Sequence, residues 1–252
     1  MKEIVPTMNW DLEAEVRRRR ILFSSGIRNR KFINIADRRA FSIQEICNPV
    51  FIRFLYLTIL YSFITTTVIN CLLMGLLHPC FVKGGYPPRF LIPHPNRIDL
   101  QQSMECSAYA CAFVLRHYGR EASGQALYRE MPCKRRNGSV YPRGVKKLLA
   151  RQGLNAVYCT GNLNALKREI SSGNPPIVFI RTYPGKNWLH FVPVVGYDEK
   201  HLFLAESLAD LANCSENGYN RKVSNKDFFK LWNTSMLKMP LYRHTFFRIS
   251  AV

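Results

Sequence analysis

Apolar residues fill one long, uninterrupted stretch near the start of the chain. Residues 54–77, from Phe54 to Leu77, contain no charged side chain over 24 positions. At about 1.5 Å per residue, a helix of this length crosses a bilayer core of roughly 30 Å. The stretch therefore predicts a transmembrane helix. A buried core helix would usually carry some polar interruption, and the apolar part of a cleaved signal peptide is shorter and lies closer to the N-terminus.

The remaining hydrophobic positions form shorter blocks. Residues 78–97 are rich in Gly and Pro and predict an extended linker. Over residues 98–252 the apolar pattern favours helices first and strands afterwards. This order predicts an α+β domain with a mostly antiparallel sheet. The predicted helices are Cys106–His117, Ser123–Met131, Tyr141–Gln152, Leu163–Ile170 and Asn225–Trp232, and the predicted strands are Ala156–Cys159, Ile177–Arg181, Leu189–Tyr197, Leu202–Glu206 and Thr245–Ile249.

Composition adds a strong positive charge. The 252 residues carry 36 Lys+Arg and 17 Asp+Glu, a formal net charge of +19, which predicts attraction to a polyanion, whether lipid headgroups, a cell-wall polymer or nucleic acid. Residues 1–53 hold eleven basic and six acidic side chains and predict a solvated basic tail. The positive-inside rule places this tail in the cytoplasm and the C-terminal domain outside. The tail has no aromatic interleaving and no RNA-binding motif, so no nucleic-acid partner is expected.

The cysteine pattern favours a free thiol over a metal site. None of the eight cysteines forms a C-x-x-C pair or a Cys/His cluster with zinc-finger spacing, so no metal is expected. Three lie in or beside the apolar stretch. The five that follow are an odd number, so at least one thiol stays outside any intramolecular pairing. These five are Cys106, Cys111, Cys133, Cys159 and Cys214.

Cys106 is the cysteine best placed for nucleophilic chemistry. It follows Glu105 at the start of a predicted helix, where the unpaired N–H groups and the helix dipole favour a thiolate. Cys111 lies about 140° further round the same helix and is expected to be inert core packing. A thiolate nucleophile needs a base that titrates near neutral pH, which is a property of histidine.

Among the six histidines, His190 is the one that opens a long apolar strand. A polar ring at the head of a buried strand needs a partner. A turn at residues 197–200 would return the chain antiparallel and bring Glu206 alongside His190. A carboxylate there would hold the imidazole tautomer and stabilise its cation. The alternatives are a core histidine bonded to backbone and a surface glutamate.

Two motifs resemble the double-glycine leader peptidases, the bacteriocin-processing branch of the papain-like clan. The first is the run from Cys106 to Gly119, with an acid before the cysteine and an aliphatic stretch closed by Tyr-Gly. The second is His190-Phe-Val-Pro-Val-Val-Gly-Tyr-Asp. The resemblance covers roughly residues 98–250. It implies a papain-like cysteine peptidase fold, with Cys106 as nucleophile, His190 as base and Glu206 as the acid that orients the base.

Three positions depart from the pattern of that family. Ser107 follows the nucleophile where Gly is usual, and the acid is Glu206 where Asp is usual. The oxyanion-hole Gln normally lies six residues before the Cys, where this chain has Leu100, so Gln101 or Gln102 would have to serve. Loss of one oxyanion donor typically costs about 100–1000-fold in rate. A catalytically inactive, peptide-binding module is therefore an alternative to an active peptidase.

The sequence thus predicts a membrane-anchored cysteine peptidase or amide hydrolase that performs acyl transfer on a peptide substrate without a cofactor. Water is the default acceptor, and transfer to an amine would use the same residues. No G-x-x-x-x-G-K-[ST] motif occurs, so a substrate cannot be taken over from transporter-linked leader peptidases. Outside residues 1–53 the chain has 25 basic and 11 acidic residues, a net charge of +14. A basic protein that binds an anionic polymer is therefore the second alternative.

Overall fold

The structure, a computed structural model, describes residues 48–93, 96–237 and 239–251. The predicted basic tail lies outside the described residues as far as residue 47. The apolar stretch forms helix α1, Pro49–Met74, which begins and ends a few residues earlier than the sequence predicts. Most side chains of α1 are exposed. By length and composition, α1 is able to cross a membrane.

The residues after α1 form a mixture of helices and strands, which confirms the predicted α+β class. The helices are α2 (Cys106–His117), α3 (Gly124–Glu130), α4 (Pro142–Arg151), α5 (Leu163–Ser171) and α6 (Asn225–Trp232), with a 3-10 turn at Ala209–Leu211. The strands are β1 (His78–Cys80), β2 (Phe90–Leu91), β3 (Leu154–Gly161), β4 (Ile177–Arg181), β5 (Leu189–Tyr197), β6 (His201–Leu204), β7 (Arg221–Ser224) and β8 (Thr245–Ala251).

Short-range chemistry sets several helix boundaries. Asn162 caps α5 by accepting from the Ala165 amide at 2.9 Å, and Ser224 caps α6 by accepting from the Asp227 amide at 3.1 Å. Helix α2 ends before Gly119, whose φ of +73° lies in the left-handed region that glycine adopts without a steric cost. Because these signals are local, α2 and α6 span the residues predicted from the sequence.

The strands form one sheet in the order β1-β3-β8-β4-β5-β6-β7, with β2 paired to β5. Neighbouring strands are antiparallel except for β1 and β3, which are parallel. The prediction of an extended linker over residues 78–97 is wrong, since this segment supplies β1 and β2 to the sheet. Its Gly and Pro residues separate short runs that pair with distant strands. Cys80 pairs with Gly161, and Leu91 pairs with Gly196, and such pairing depends on tertiary context more than on local composition.

Helices cover both faces of the sheet. Helices α2 and α4 pack on one face, and α5 and α6 pack on the other. Strand β4 shows how its residues divide between the two cores: Ile177 and Phe179 belong to the first, and Val178 and Ile180 to the second. A strand buried on both faces gives a continuous apolar run, which is why the sequence predicts β4 and β5 with their observed bounds.

Candidate active site

Cys106 is the first residue of α2 and is half-buried. Amides in the first turn of a helix have no carbonyl partner within the helix, so this sulfur lies at the positive end of the helix dipole. Cys111 is fully buried in the same helix. Burial raises the pKa of the Cys111 thiol, and the charge on Cys106 raises it further. The two cysteines of α2 therefore lie in different environments, and Cys111 is the inert one.

His190 is the second residue of β5 and has only 1% of its surface exposed. Its Nε2 lies 2.7 Å from Oε1 of Glu206. The Cys106 side chain is close enough to the same imidazole to raise the pKa of that ring. Because Nε2 is already engaged, Nδ1 is the ring nitrogen left for the sulfur. Sulfur, imidazole and carboxylate are thus brought together in that order.

The two neighbours of His190 govern its titration. Burial alone lowers the pKa of an imidazole, but the Glu206 carboxylate and the Cys106 side chain outweigh burial and raise the pKa of His190 above its ordinary 6.5. Burial raises the pKa of Glu206, yet His190, the Leu208 amide and Arg221 together hold it below the ordinary 4.5. An imidazolium–carboxylate pair is therefore the favoured form at neutral pH.

Every polar group of Glu206 has a partner. Oε1 also accepts from the Leu208 amide at 2.8 Å, and Oε2 accepts from Nη1 of Arg221 at 2.8 Å. The backbone amide donates to Oδ1 of Asn220 at 2.7 Å, and the backbone carbonyl accepts from Nδ2 of Asn220 at 2.8 Å. Glu206 is fully buried, so protein groups rather than solvent fix its position.

The β5–β6 hairpin returns the acid to the base. Leu204 pairs with Val194, so the residues that follow Leu204 run back toward His190. The sequence predicts a strand that extends to Glu206, but β6 ends at Leu204. The reason is that the Glu206 backbone bonds to the side chain of Asn220 instead of continuing the ladder with β5.

The two candidate oxyanion glutamines lie in different surroundings. Gln101 is half-buried, its backbone amide donates to the Ser207 carbonyl at 2.9 Å, and its Oε1 accepts from Oγ of Ser207 at 2.7 Å. The side-chain amide nitrogen of Gln101 donates to the carbonyl of Ser103. Gln102 is exposed. The structure thus ties Gln101, and not Gln102, to the residue that follows the candidate acid.

Sequence reasoning missed three residues that complete the site, namely Ser207, Asn220 and Arg221. Arg221 opens β7, a strand that the sequence does not predict, and Asn220 directly precedes it. The strand is short, and its four residues, Arg-Lys-Val-Ser, are mostly polar. It therefore lacks the apolar run from which strands are predicted. A buried glutamate needs a cation or several donors, and that requirement is the signal that could have led to Arg221.

Ser107 contributes no hydrogen bond to the site. It is buried in α2, with 1% of its surface exposed. Its hydroxyl has no hydrogen-bond partner among the described residues. The serine that stands where glycine is usual in the resembling family therefore adds an uncompensated polar atom next to the candidate nucleophile.

The assembled groups supply the parts of an acyl-transfer site. They are a nucleophilic sulfur, an imidazole that can carry its proton, a buried carboxylate, and N–H groups at a helix N-terminus. Within the described ranges, no three His, Cys, Asp or Glu side chains form a metal-binding cluster.

The family of the chain follows from a match over its folded part. Residues 96–240, more than half of the chain, match the model of the Peptidase C39 family. The chain belongs to the Peptidase C39 family. It is a cysteine peptidase, and the resemblance to double-glycine leader peptidases found in its sequence is confirmed. The matched range of this C39 peptidase includes Cys106, His190 and Glu206.

Several solved structures are similar to this C39 peptidase. The peptidase domain of Streptococcus ComA, a bifunctional ABC transporter involved in a quorum-sensing pathway, is 15% identical over 63% of this chain and 100% of that chain, with a TM-score of 0.48. A double-glycine-motif protease from an AMS/PCAT transporter, in complex with the leader peptide, is 16% identical over 64% and 98%, with a TM-score of 0.45. Xylellain, a cysteine protease from Xylella fastidiosa, is 17% identical over 67% and 87%, with a TM-score of 0.46. No curated protein matches the chain.

Proposed function

We propose that this C39 peptidase hydrolyses a peptide bond through Cys106, His190 and Glu206. One observation carries the proposal: Nε2 of His190 lies 2.7 Å from the Glu206 carboxylate, and the same imidazole is close enough to the Cys106 side chain for that side chain to raise its pKa. This order supports nucleophilic catalysis, because the imidazole takes the thiol proton and the carboxylate stabilises the imidazolium that results.

The proposed reaction has two stages. The sulfur attacks the substrate carbonyl, and the backbone N–H of Cys106 stabilises the tetrahedral oxyanion. His190 then gives its proton to the leaving amine as the C–N bond breaks, which leaves a thioester on Cys106. In the second stage His190 takes a proton from water, the hydroxide attacks the thioester carbonyl, and the C–S bond breaks to release the acid and the free enzyme.

Gln101 is the side-chain oxyanion donor in this proposal. Its bond to Ser207 fixes the carbonyl end of its amide, which keeps that oxygen away from a developing negative charge. Its nitrogen donates to the Ser103 carbonyl in the structure, so the amide has to turn from that carbonyl to the substrate. A loop before the helix allows such a movement.

Alkylation with iodoacetamide, read by peptide mass spectrometry, tests the site without a known substrate. We expect Cys106 to react on the order of 100-fold faster than the half-buried Cys133 at pH 7, because a thiolate paired with an imidazolium is the reactive form. Cys106→Ala removes the fast phase and all hydrolysis of a peptide panel that includes a Gly-Gly cleavage site. Cys133→Ala retains both. Equal rates at the two cysteines would favour the inactive, peptide-binding alternative.

We further propose that α1 anchors the peptidase in a membrane as a single span, with its C-terminal domain outside the cytoplasm. The proposal is supported by the length and apolar composition of α1 and by the excess of basic residues before it.

Extraction of membranes with alkaline carbonate is expected to leave the full chain in the pellet. The paired substitution Phe63→Arg with Ile64→Arg is expected to release it, since charges at the centre of a span oppose insertion. Release of the wild-type chain would contradict the anchor, and protease protection of the C-terminal domain tests its side.

A further inference from the structure

Arg221 is a buried cation that lies behind the acid of the proposed site. It opens β7 and is 6% exposed. Its Nη1 lies 2.8 Å from Oε2 of Glu206, while Oε1 of the same carboxylate lies 2.7 Å from Nε2 of His190. One carboxylate thus connects a permanent cation to the imidazole.

This connection balances the charges of the buried site. In its reactive form the site would alternate Arg221 positive, Glu206 negative, His190 positive and Cys106 negative, so that no net charge is buried. A carboxylate out of contact with water is costly unless it is paired and hydrogen-bonded. Without the guanidinium, Oε2 of Glu206 would lose its partner, and the carboxylate would be held through Oε1 alone and would take up a proton more readily.

The same contact accounts for a glutamate at a position where the resembling family usually has aspartate. Glutamate has one more rotatable bond, so holding its carboxylate in a single geometry costs more side-chain entropy. The Leu208 amide donates to Oε1 and Arg221 donates to Oε2, each at 2.8 Å, so both oxygens of the carboxylate are held. Oε1 is thereby fixed where His190 can bond to it.

We propose that Arg221 is a positioning residue of the peptidase site, which holds Oε2 of Glu206 so that Oε1 bonds to His190. The inference rests on the proposed function of His190 and Glu206. Arg221 acts through the carboxylate and does not touch the reacting atoms. Its effect should therefore depend on the presence of that carboxylate.

The alkylation rate of Cys106 by iodoacetamide, measured from pH 4 to 10, tests the role of Arg221. Arg221→Met is expected to slow alkylation about tenfold at pH 7. It should also shift the acid limb of the profile to higher pH, because Glu206 takes up a proton more readily without the cation. His190 and Cys106, the other titratable groups of the site, are not substituted in this variant. Arg221→Lys keeps the charge but loses the planar fork, and it is expected to lie between the wild type and Arg221→Met.

A double-mutant cycle separates positioning from a general structural role. Glu206→Gln with Arg221→Met removes both charges, so no uncompensated charge is left buried and the chain can fold even where Arg221→Met alone cannot. In the Glu206→Gln background, Arg221→Met should add no further loss. A full further loss there overturns the positioning role. Slow alkylation of wild-type Cys106 would instead reject the proposed function itself.

A second inference concerns the end of α1, which is built into the folded domain. The Tyr242 hydroxyl donates to the carbonyls of Asn70 at 3.2 Å and Gly75 at 2.9 Å. Nη1 of Arg143 donates to the Leu72 carbonyl at 3.1 Å. These bonds reach the last turns of α1 from two separate parts of the domain. They hold the domain directly against those turns.

The length of α1 places this contact at the surface of a bilayer. Its 26 residues span about 39 Å as a helix, whereas the hydrocarbon core is roughly 30 Å thick. The last turns of α1 therefore reach the headgroup region. A domain that is bonded to those turns has to lie against the lipid.

Three exposed leucines lie close in sequence to the residues of this contact. Leu76 directly follows Gly75 and is 72% exposed, Leu241 precedes Tyr242 and is 51% exposed, and Leu237 is 95% exposed. Arg243, beside them in sequence, is also exposed. Apolar side chains next to a cation suit the boundary between acyl chains and headgroups. We propose that Leu76, Leu237 and Leu241 insert into the bilayer interface beside α1, an inference that rests on the proposed membrane anchor.

Quenching of tryptophan fluorescence by brominated phosphatidylcholine tests this surface in the reconstituted full chain, with the wild-type signal subtracted. Leu237→Trp is expected to be quenched strongly. Leu100→Trp, at an exposed position on the active-site loop, should show no quenching. Phe63→Trp, within α1, reports the anchor itself. Quenching of Phe63→Trp but not of Leu237→Trp rejects the interface while the anchor stands. Failure of Phe63→Trp to be quenched rejects the anchor and, with it, this inference.

Discussion

The acid–base half of the proposed site is buried in the sheet, whereas the nucleophile and its oxyanion donors lie at the surface. His190, Glu206 and Arg221 are 1%, 0% and 6% exposed, and each polar atom of Glu206 is bonded to protein. Cys106 and Gln101 are half-buried and lie on a helix tip and a loop. The difference reflects two requirements. Hydrogen-bonded ion pairs are strengthened by the exclusion of water, while the sulfur has to be reached by a peptide.

The two halves also depart from the family pattern in different ways. On the surface, the proposed oxyanion donor Gln101 lies one residue after the usual position, in a loop, and is bonded to Ser207. In the interior, a glutamate in place of aspartate is matched by Arg221. A loop can absorb a change by moving, whereas a packed interior absorbs it through a compensating partner.

The largest expected effect comes from breaking the buried half. Glu206→Gln should lower kcat/KM for peptide hydrolysis by about 10³- to 10⁴-fold, because the imidazole loses the group that sets its tautomer and stabilises its cation. Glu206→Asp keeps the charge but is one methylene shorter, so it should lose less. If the kcat/KM of Glu206→Gln lies within threefold of the wild-type value, Glu206 does not support His190 as the base for Cys106.

The buried half was largely predictable from the sequence, and the reason lies in local pattern. The apolar run of β5 and its turn predict that Glu206 returns beside His190. What could not be predicted is β7, whose polar residues carry no strand signal. Arg221 lies on that strand, so the cation behind the acid becomes apparent only from the sheet.

The surface half was less predictable. Sequence spacing leaves Gln101 and Gln102 equally possible, since neither occupies the usual position. The choice depends on the fold of a loop and on its contact with Ser207, which lies 106 residues away in sequence. The pairing of β1 with β3 is a further non-local feature, and for that reason residues 78–97 were expected to be a linker.

The next effect in size would sharpen the surface half. Gln101→Ala is expected to lower kcat for peptide hydrolysis by about 100–1000-fold, the usual cost of one oxyanion donor, with little change in KM. Gln102→Ala is the matched control, because it removes the same side chain from the exposed neighbouring position, and it should retain activity. The reverse result, with Gln102→Ala the weaker enzyme, would assign the donor to Gln102.

A smaller effect links the two halves through pH. Glu206 and Cys106 raise the pKa of His190 above 6.5, so the imidazolium persists above neutral pH and the alkaline limb of the activity profile lies on the basic side. In Glu206→Gln the carboxylate charge is lost, so the pKa of His190 falls and the alkaline limb should move toward neutral pH. The pH dependence of kcat/KM for the two proteins measures this shift. If the alkaline limb of the profile lies at the same pH in both proteins, then His190 is not the group whose titration limits activity at high pH.

The smallest expected effect concerns Ser107, whose buried hydroxyl has no partner among the described residues. Ser107→Ala removes a desolvated polar atom without removing a bond, so the free energy of unfolding should stay constant or rise by up to about 1 kcal/mol. Thr234→Val is the matched control: its buried hydroxyl donates to the Tyr242 carbonyl at 2.7 Å, and its loss should destabilise by about 1–3 kcal/mol. Urea unfolding measures both. If Ser107→Ala lowers the free energy of unfolding as much as Thr234→Val does, the Ser107 hydroxyl is hydrogen-bonded in solution. Ser107 would then resemble the buried half of the site, in which every polar group has a partner.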